Sequence, residues 1–161
     1  MTRVCCEVLR RLKGKTLVTA ESLTGGGIGA ALTAVPGSSA VYKGGIISYT
    51  DWVKENLLDV PGDILLSHGA VSQPVAAAMA CGVRRHLQAD VAVSVTGLAG
   101  PDGDGINEVG TVFIALAVEN NTYVREIHLG EKRTRSFIRR MSGNYAFDMM
   151  RRYLSGKSVL F

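Results

Sequence analysis

The chain has 161 residues, 47% hydrophobic and 20% charged, enough for one well-packed domain over 1–161 and too few for two. No apolar run approaches the roughly 20 residues needed to cross a bilayer, and Glu7 interrupts the first segment, so no membrane contact and a cytoplasmic location are expected. The net charge of +4 is uneven: Lys132, Arg133, Arg135, Arg139, Arg140, Arg151, Arg152 and Lys157 face only Glu131 and Asp148 in the last stretch, so the rest of the chain is slightly acidic.

Val4, Cys5, Val8, Leu9 and Leu12 recur at helical spacing and stop at Gly14, which predicts a short first helix. Lys15–Ala20 is strand-like. The run Thr19-Ala20-Glu21-Ser22-Leu23-Thr24-Gly25-Gly26-Gly27 then turns through hydroxyls, a carboxylate and three glycines. Ile28–Val35, apolar and rich in alanine, predicts a helix closed by Pro36-Gly37. Tyr42–Thr50 is β-rich, and Asp51–Leu58 predicts a polar helix. Ser72-Gln73-Pro74 marks a helix start leading into Val75–Leu87, whose small side chains allow close packing on a sheet.

Val91–Val95 reads as a buried strand bounded by Asp90 and by Thr96-Gly97. Gly97–Glu108, glycine-rich with one proline and no regular period, predicts a long loop, and long loops in compact domains tend to be functional. Val109–Val118 and Thr122–Leu129, joined at Glu119-Asn120-Asn121, read as a hairpin. Arg133–Leu154 predicts a closing helix with Phe137, Met141, Tyr145 and Met149 along one face. Helices between most strands imply an α/β class, a three-layer α/β/α sandwich whose sheet is mixed, mostly parallel, with one antiparallel hairpin.

A strand that ends in hydroxyls and opens a helix through glycines leaves backbone N–H groups for an anion or an oxyanion, with Ser22 at the mouth. The same pattern also serves as an ordinary helix cap. Glu21 could orient a catalytic group or accept bonds from the helix start, and the second role is favoured. A serine nucleophile needs a base, yet His68, His86 and His128 are all poorly placed, which leaves lysine or a carboxylate. Tyr49 and Lys54, five positions apart where a strand enters a helix, could point into one cleft; alternatively Lys54 is a surface lysine paired with Asp51 or Glu55. Thr96 and Gly97 follow a buried strand, where α/β sheets gather ligands. Asp102, Asp104 and Glu108 lack any metal-ligand spacing, so no metal and no cofactor are expected. Three cysteines cannot all pair, and they are expected to be small buried hydrophobes. The basic tail lacks interleaved aromatics or a nucleic-acid motif, so nucleic acid is not an expected partner.

Taken together, Thr19–Gly26, Val35-Pro36-Gly37-Ser38-Ser39-Ala40, Ser48-Tyr49 with Lys54, Gly69-Ala70-Val71-Ser72, Val95–Gly103 and Val109-Gly110-Thr111-Val112 resemble the CinA C-terminal domain family over nearly the whole chain. At this length the resemblance is to the stand-alone PncC-type nicotinamide-nucleotide amidases, which hydrolyse nicotinamide mononucleotide to nicotinate mononucleotide and ammonia. It implies Ser22 as nucleophile, Lys54 as its base and Tyr49 as proton relay. Thr24, Gly25, Gly26, Thr96 and Gly97 would line the substrate site, and Arg139, then Arg135, would hold the phosphate. The chain departs from the family's usual pattern at Leu23, often Cys, and at Asp51, usually Asn. The companion domain of longer CinA proteins, with its pyrophosphatase activity, is not expected. The competing expectation is a non-catalytic nucleotide-binding or protein-interaction module linked to competence and DNA damage. A homo-oligomer is expected in either case.

Overall fold

The parallel core of the molecule forms because the first two β-rich segments are each followed by enough helical chain to cross back over the sheet to the next parallel strand. In the computed structural model, which describes residues 2–159, the elements in chain order are α1 (Thr2–Arg11), β1 (Leu17–Glu21), α2 (Gly27–Thr33), a 3₁₀ turn at Ser38–Ala40, β2 (Tyr42–Ile47), α3 (Asp51–Leu58), α4 (Gly62–His68), α5 (Gln73–His86), β3 (Val91–Gly97), β4 (Thr111–Ala117), β5 (Thr122–His128) and α6 (Arg135–Leu154). The sheet order is β2-β1-β3-β4-β5. β1 pairs in parallel with β2 and β3, whereas β3–β4 and β4–β5 are antiparallel, so β4 alone runs against the other four.

Alternation along the strands divides the core in two. Leu17, Val93, Val95, Ile114 and Leu116 face α1, α2 and α6 with Leu12, Ile28, Ile138 and Phe147. Val18, Ala20, Ala92 and Ala115 face the other way, onto α3, α4 and α5 with Leu58, Val75, Met79 and Val83. This is the expected three-layer α/β/α sandwich. The second layer is thin because its residues are small: a Cβ at Gly82 of α5 would lie 1.8 Å from the Leu58 carbonyl oxygen at the end of α3. At the opposite end of the parallel strands, the Asp90 carboxylate accepts from the Thr16 N–H (2.7 Å) and hydroxyl (2.8 Å), tying the entries of β1 and β3 together. Those two bonds, the backbone one first, hold the Asp90 carboxyl below its ordinary pKa.

Three expectations shift. Residues 62–68 form α4 after Pro61, a helix with no sequence signal because it is short and its Leu66 points into solvent. The deeply buried residues of α6 are Ile138, Ser142, Gly143, Ala146, Phe147, Met149 and Met150, so Met149 faces the core as expected, while Met141 is half-buried and Phe137 and Tyr145 lie on the flank. Arginines draw them there, with Arg133 over the Phe137 ring and Arg125 over Tyr145, each at 5.0 Å. Of the cysteines only Cys5 is buried, and burial pushes its thiol up to about 11; Cys6 and Cys81 are exposed. Among the described residues no helix is long and apolar enough to cross a membrane.

Candidate active site

The site forms where β2, β1 and β3 end side by side. Glu21 is in register with Ile47 on one side and Val95 on the other. The Ser48 N–H donates to the Glu21 carbonyl (2.8 Å) and the Ser22 N–H to the Val95 carbonyl (2.9 Å), carrying both ladders one step beyond Glu21. Ser48, Ser22 and Thr96 therefore stand abreast on the α3/α5 face, three hydroxyls in a row. Past Ser22 the chain turns sharply: the Ser22 carbonyl accepts from the Gly25 N–H (3.0 Å) and the Thr24 carbonyl from the Gly27 N–H (3.1 Å). Gly25 and Gly26 have φ of 59° and 90°, and a Cβ on Gly25 would meet the Arg139 guanidinium at 3.1 Å.

Glu21, on the opposite face, is buried and accepts three hydrogen bonds, from the Thr24 hydroxyl (2.7 Å), the Ile28 N–H (3.0 Å) and the Gly29 N–H (2.8 Å). The start of α2 thus has its anion supplied internally, and it does not receive an oxyanion as the glycine turn had suggested. The Leu23 and Thr24 N–H groups, by contrast, meet no protein acceptor among the described residues.

Lys54 enters the cavity lined by Ser22 and Thr96 from α3. Thr50 caps that helix, its hydroxyl accepting from the Val53 N–H (3.4 Å), and the cap sets Lys54 one turn in on the face packed against α5. Its side chain is only 2% exposed, as buried as the core residues around it. The ammonium donates to Asp51 Oδ1 at 3.3 Å, and that aspartate is 64% exposed. The expected Lys54–Asp51 pair exists, but the lysine is no surface residue.

Ser22, Lys54, Tyr49, Thr96, Gly97 and Arg135 line one cavity of about 290 Å³, joined by Ala70 and by the start of the long loop as far as Asp102. Tyr49 stands at the rim, 58% exposed, and its hydroxyl accepts from Arg135 (2.9 Å). Arg135 also donates to the Gly100 carbonyl (2.6 Å), so one guanidinium ties α6 to the tyrosine and the loop. The Thr96 hydroxyl donates to the Ala70 carbonyl (2.8 Å).

The remaining candidates lie elsewhere. Arg139 donates to the Leu23 carbonyl (2.9 Å) and the Thr24 carbonyl (3.1 Å), bracing the glycine turn from behind rather than entering the cavity. Thr24, Gly25 and Gly26 shape that turn and do not line the cavity either. His86 pairs with Asp59 (2.8 Å), His128 with Glu126 (3.0 Å), and His68 Nδ1 meets Ser67 Oγ (2.8 Å), all outside it. Asp104 stays within its own loop: burial alone would raise its carboxyl, but the Asn107 and Ile106 N–H groups outweigh that and hold it below the ordinary value. Asn107 in turn donates to the Val71 carbonyl (3.0 Å), pinning the loop beside the cavity. Among the described residues no group of His, Cys, Asp or Glu is arranged to hold a metal ion. Ser48 and Ala70 belong to the motifs of the resemblance but carry no site role in the sequence reading; the ladder continuing past Glu21 sets Ser48 beside Ser22, and Ala70 joins the cavity from the turn before α5.

A family model described as the CinA C-terminal domain matches residues 2–154. The chain belongs to this family. A CinA-like protein of Parasynechococcus marenigrum (strain WH8102) is 46% identical over 160 residues, which is 98% of this chain and 38% of that protein. One from Synechococcus sp. (strain CC9311) is 50% identical over 147 residues, 89% of this chain and 35% of that protein. The chain therefore spans little more than a third of the length of these curated CinA relatives. Among solved structures, a CinA superfamily protein from Klebsiella pneumoniae 700603 superposes with a TM-score of 0.92 at 28% identity, covering 96% of this chain and 98% of that one. The competence/damage inducible protein CihA from Agrobacterium tumefaciens gives 0.90 at 35% identity, covering 96% and 94%.

Proposed function

We propose that this CinA domain hydrolyses the carboxamide of a nicotinamide nucleotide, releasing ammonia. The observation that carries the reading is a lysine, buried to 2% exposure, lining the same cavity as a serine at a strand end. Lys54 takes the proton of Ser22 as the hydroxyl oxygen bonds to the amide carbon, and returns it to the departing ammonia. Water then attacks the acyl ester, its proton passing to Lys54, and the carboxylate product leaves as Ser22 regains its hydrogen. The Leu23 and Thr24 N–H groups supply donors for the oxyanion, an interaction worth roughly 3 kcal/mol per donor in serine proteases. Arg135 at the rim, already oriented by Tyr49 and Gly100, offers its charge to the nucleotide phosphate. Tyr49 positions that arginine, and the reading also assigns it the relay of a proton.

An ammonia-coupled assay over nicotinamide mononucleotide, nicotinamide riboside and unrelated amides tests the reading. The mononucleotide is expected to be turned over fastest, and the activity to disappear in Ser22→Ala and Lys54→Met proteins that keep their melting transition. Binding of the mononucleotide without any product overturns the amidase in favour of a binding module.

A further inference from the structure

We propose that Ser48 is a positioning residue for Lys54, the second hydrogen-bond acceptor of its amine beside Asp51; this rests on the reading that Lys54 serves Ser22. Ser48 is completely buried, and its hydroxyl has no hydrogen-bond partner among the described residues. Buried hydroxyls are rarely left so. Its two companions in the row differ: Thr96 is satisfied by the Ala70 carbonyl, and Ser22 opens into the cavity.

The side Ser48 faces follows from the strand. Ile47 lies over Gly26, on the α2 face, with its Cδ1 3.2 Å from where a Gly26 Cβ would be. Alternation then turns Ser48 to the α3/α5 face, the one from which Lys54 enters. Its backbone cannot drift, because the Ser48 N–H is bonded to the residue preceding Ser22.

Lys54 brings the complementary shortage. An ammonium has three N–H groups, and the protein acceptor it meets is the exposed Asp51, at 3.3 Å. When Lys54 takes the Ser22 proton, the three N–H groups match three oxygens: Ser22 Oγ, Asp51 Oδ1 and Ser48 Oγ. In the unprotonated amine, N–H bonds to Ser48 and Asp51 leave the lone pair aimed at Ser22. One added bond resolves both a stranded hydroxyl and a weakly held amine.

The test labels Ser22 with a fluorophosphonate and follows the adduct by mass spectrometry, alongside ammonia release. In labelling, the Ser22 Oγ–P bond forms, the P–F bond breaks, fluoride leaves and the Ser22 proton passes to Lys54, so the readout depends on the base and not on the identity of the amide. Ser48→Ala is expected to slow both labelling and kcat by roughly tenfold or more, with KM changed less than about threefold, and Ser48→Thr to restore most of the rate. Melting curves separate this from unfolding, since removing an unpartnered hydroxyl without consequence for Lys54 leaves stability and labelling as they were. Labelling of Ser48→Ala at the wild-type rate overturns the proposal. Wild-type protein that labels at Ser22 and loses that reactivity in Ser48→Ala, yet releases no ammonia, supports Ser48 and rejects the amidase reading. Wild-type protein that does not label at all overturns both.

Discussion

Glu21 and Lys54 are buried ionisable side chains on opposite faces of the same sheet end, and their surroundings differ sharply. The carboxylate accepts three hydrogen bonds from the turn and helix that follow it. The amine meets an exposed aspartate at 3.3 Å and an open cavity. An ion removed from water costs several kcal/mol unless its neighbours replace the lost hydration, so the first is a finished structural joint, and the second, on the proposed function, is a group held for a partner that arrives with the reaction. The glycine turn serves both, closing over Glu21 on one side and presenting Ser22 on the other.

The largest expected effect comes from making Lys54 apolar. Lys54→Met is expected to lower kcat by about a thousandfold or more while leaving urea unfolding equal to or more stable than wild type, since an apolar side chain of similar length suits that site. Loss of activity through loss of stability would erase the distinction between the two charges. Glu21→Leu should show the reverse, stranding two buried N–H groups and a hydroxyl at a cost of about 3 kcal/mol in urea unfolding. A smaller effect is expected at the rim: Arg135→Ala raises KM for a phosphorylated amide roughly 10- to 100-fold and leaves the riboside nearly unchanged, as steady-state kinetics on the pair would show.

The smallest effect lies at the far end of the strands. The folded Asp90 carboxyl titrates below its unfolded value, so its contribution is present above the unfolded pKa, near pH ~4, and disappears as pH falls through the folded one. Asp90→Asn should therefore flatten the dependence of stability on pH below about pH 5 and leave catalysis untouched, read by urea unfolding across that range.

Much of the framework was legible because local signals agreed. The bounds of α3 match the expectation at both ends, since Thr50 and Asp51 are good helix starters. The hairpin of β4 and β5, joined at Glu119-Asn120-Asn121, and the glycine-rich loop before it are also where the sequence placed them. The site was only half legible. An aspartate three residues before a lysine reads as a surface pair, and no local pattern says that the lysine's helix packs on an alanine-rich neighbour that buries it. Arg135 and Arg139 are one turn apart on the same helix, and the fall of the loop at Gly100 decides which one enters the cavity. Glu21 reaches N–H groups seven and eight residues ahead, a span outside any short capping motif. Register across strands, which puts Ser48 beside Ser22, is a tertiary fact.

The chain's one tryptophan, Trp52, stands 65% exposed on the first turn of α3, between Asp51 and Lys54 in sequence. An indole so placed is a built-in optical gauge. Binding in the cavity lined by its helix neighbours Asp51 and Lys54 is expected to change its emission, so affinities could be titrated by intrinsic fluorescence on the Ser22→Ala protein with no dye attached.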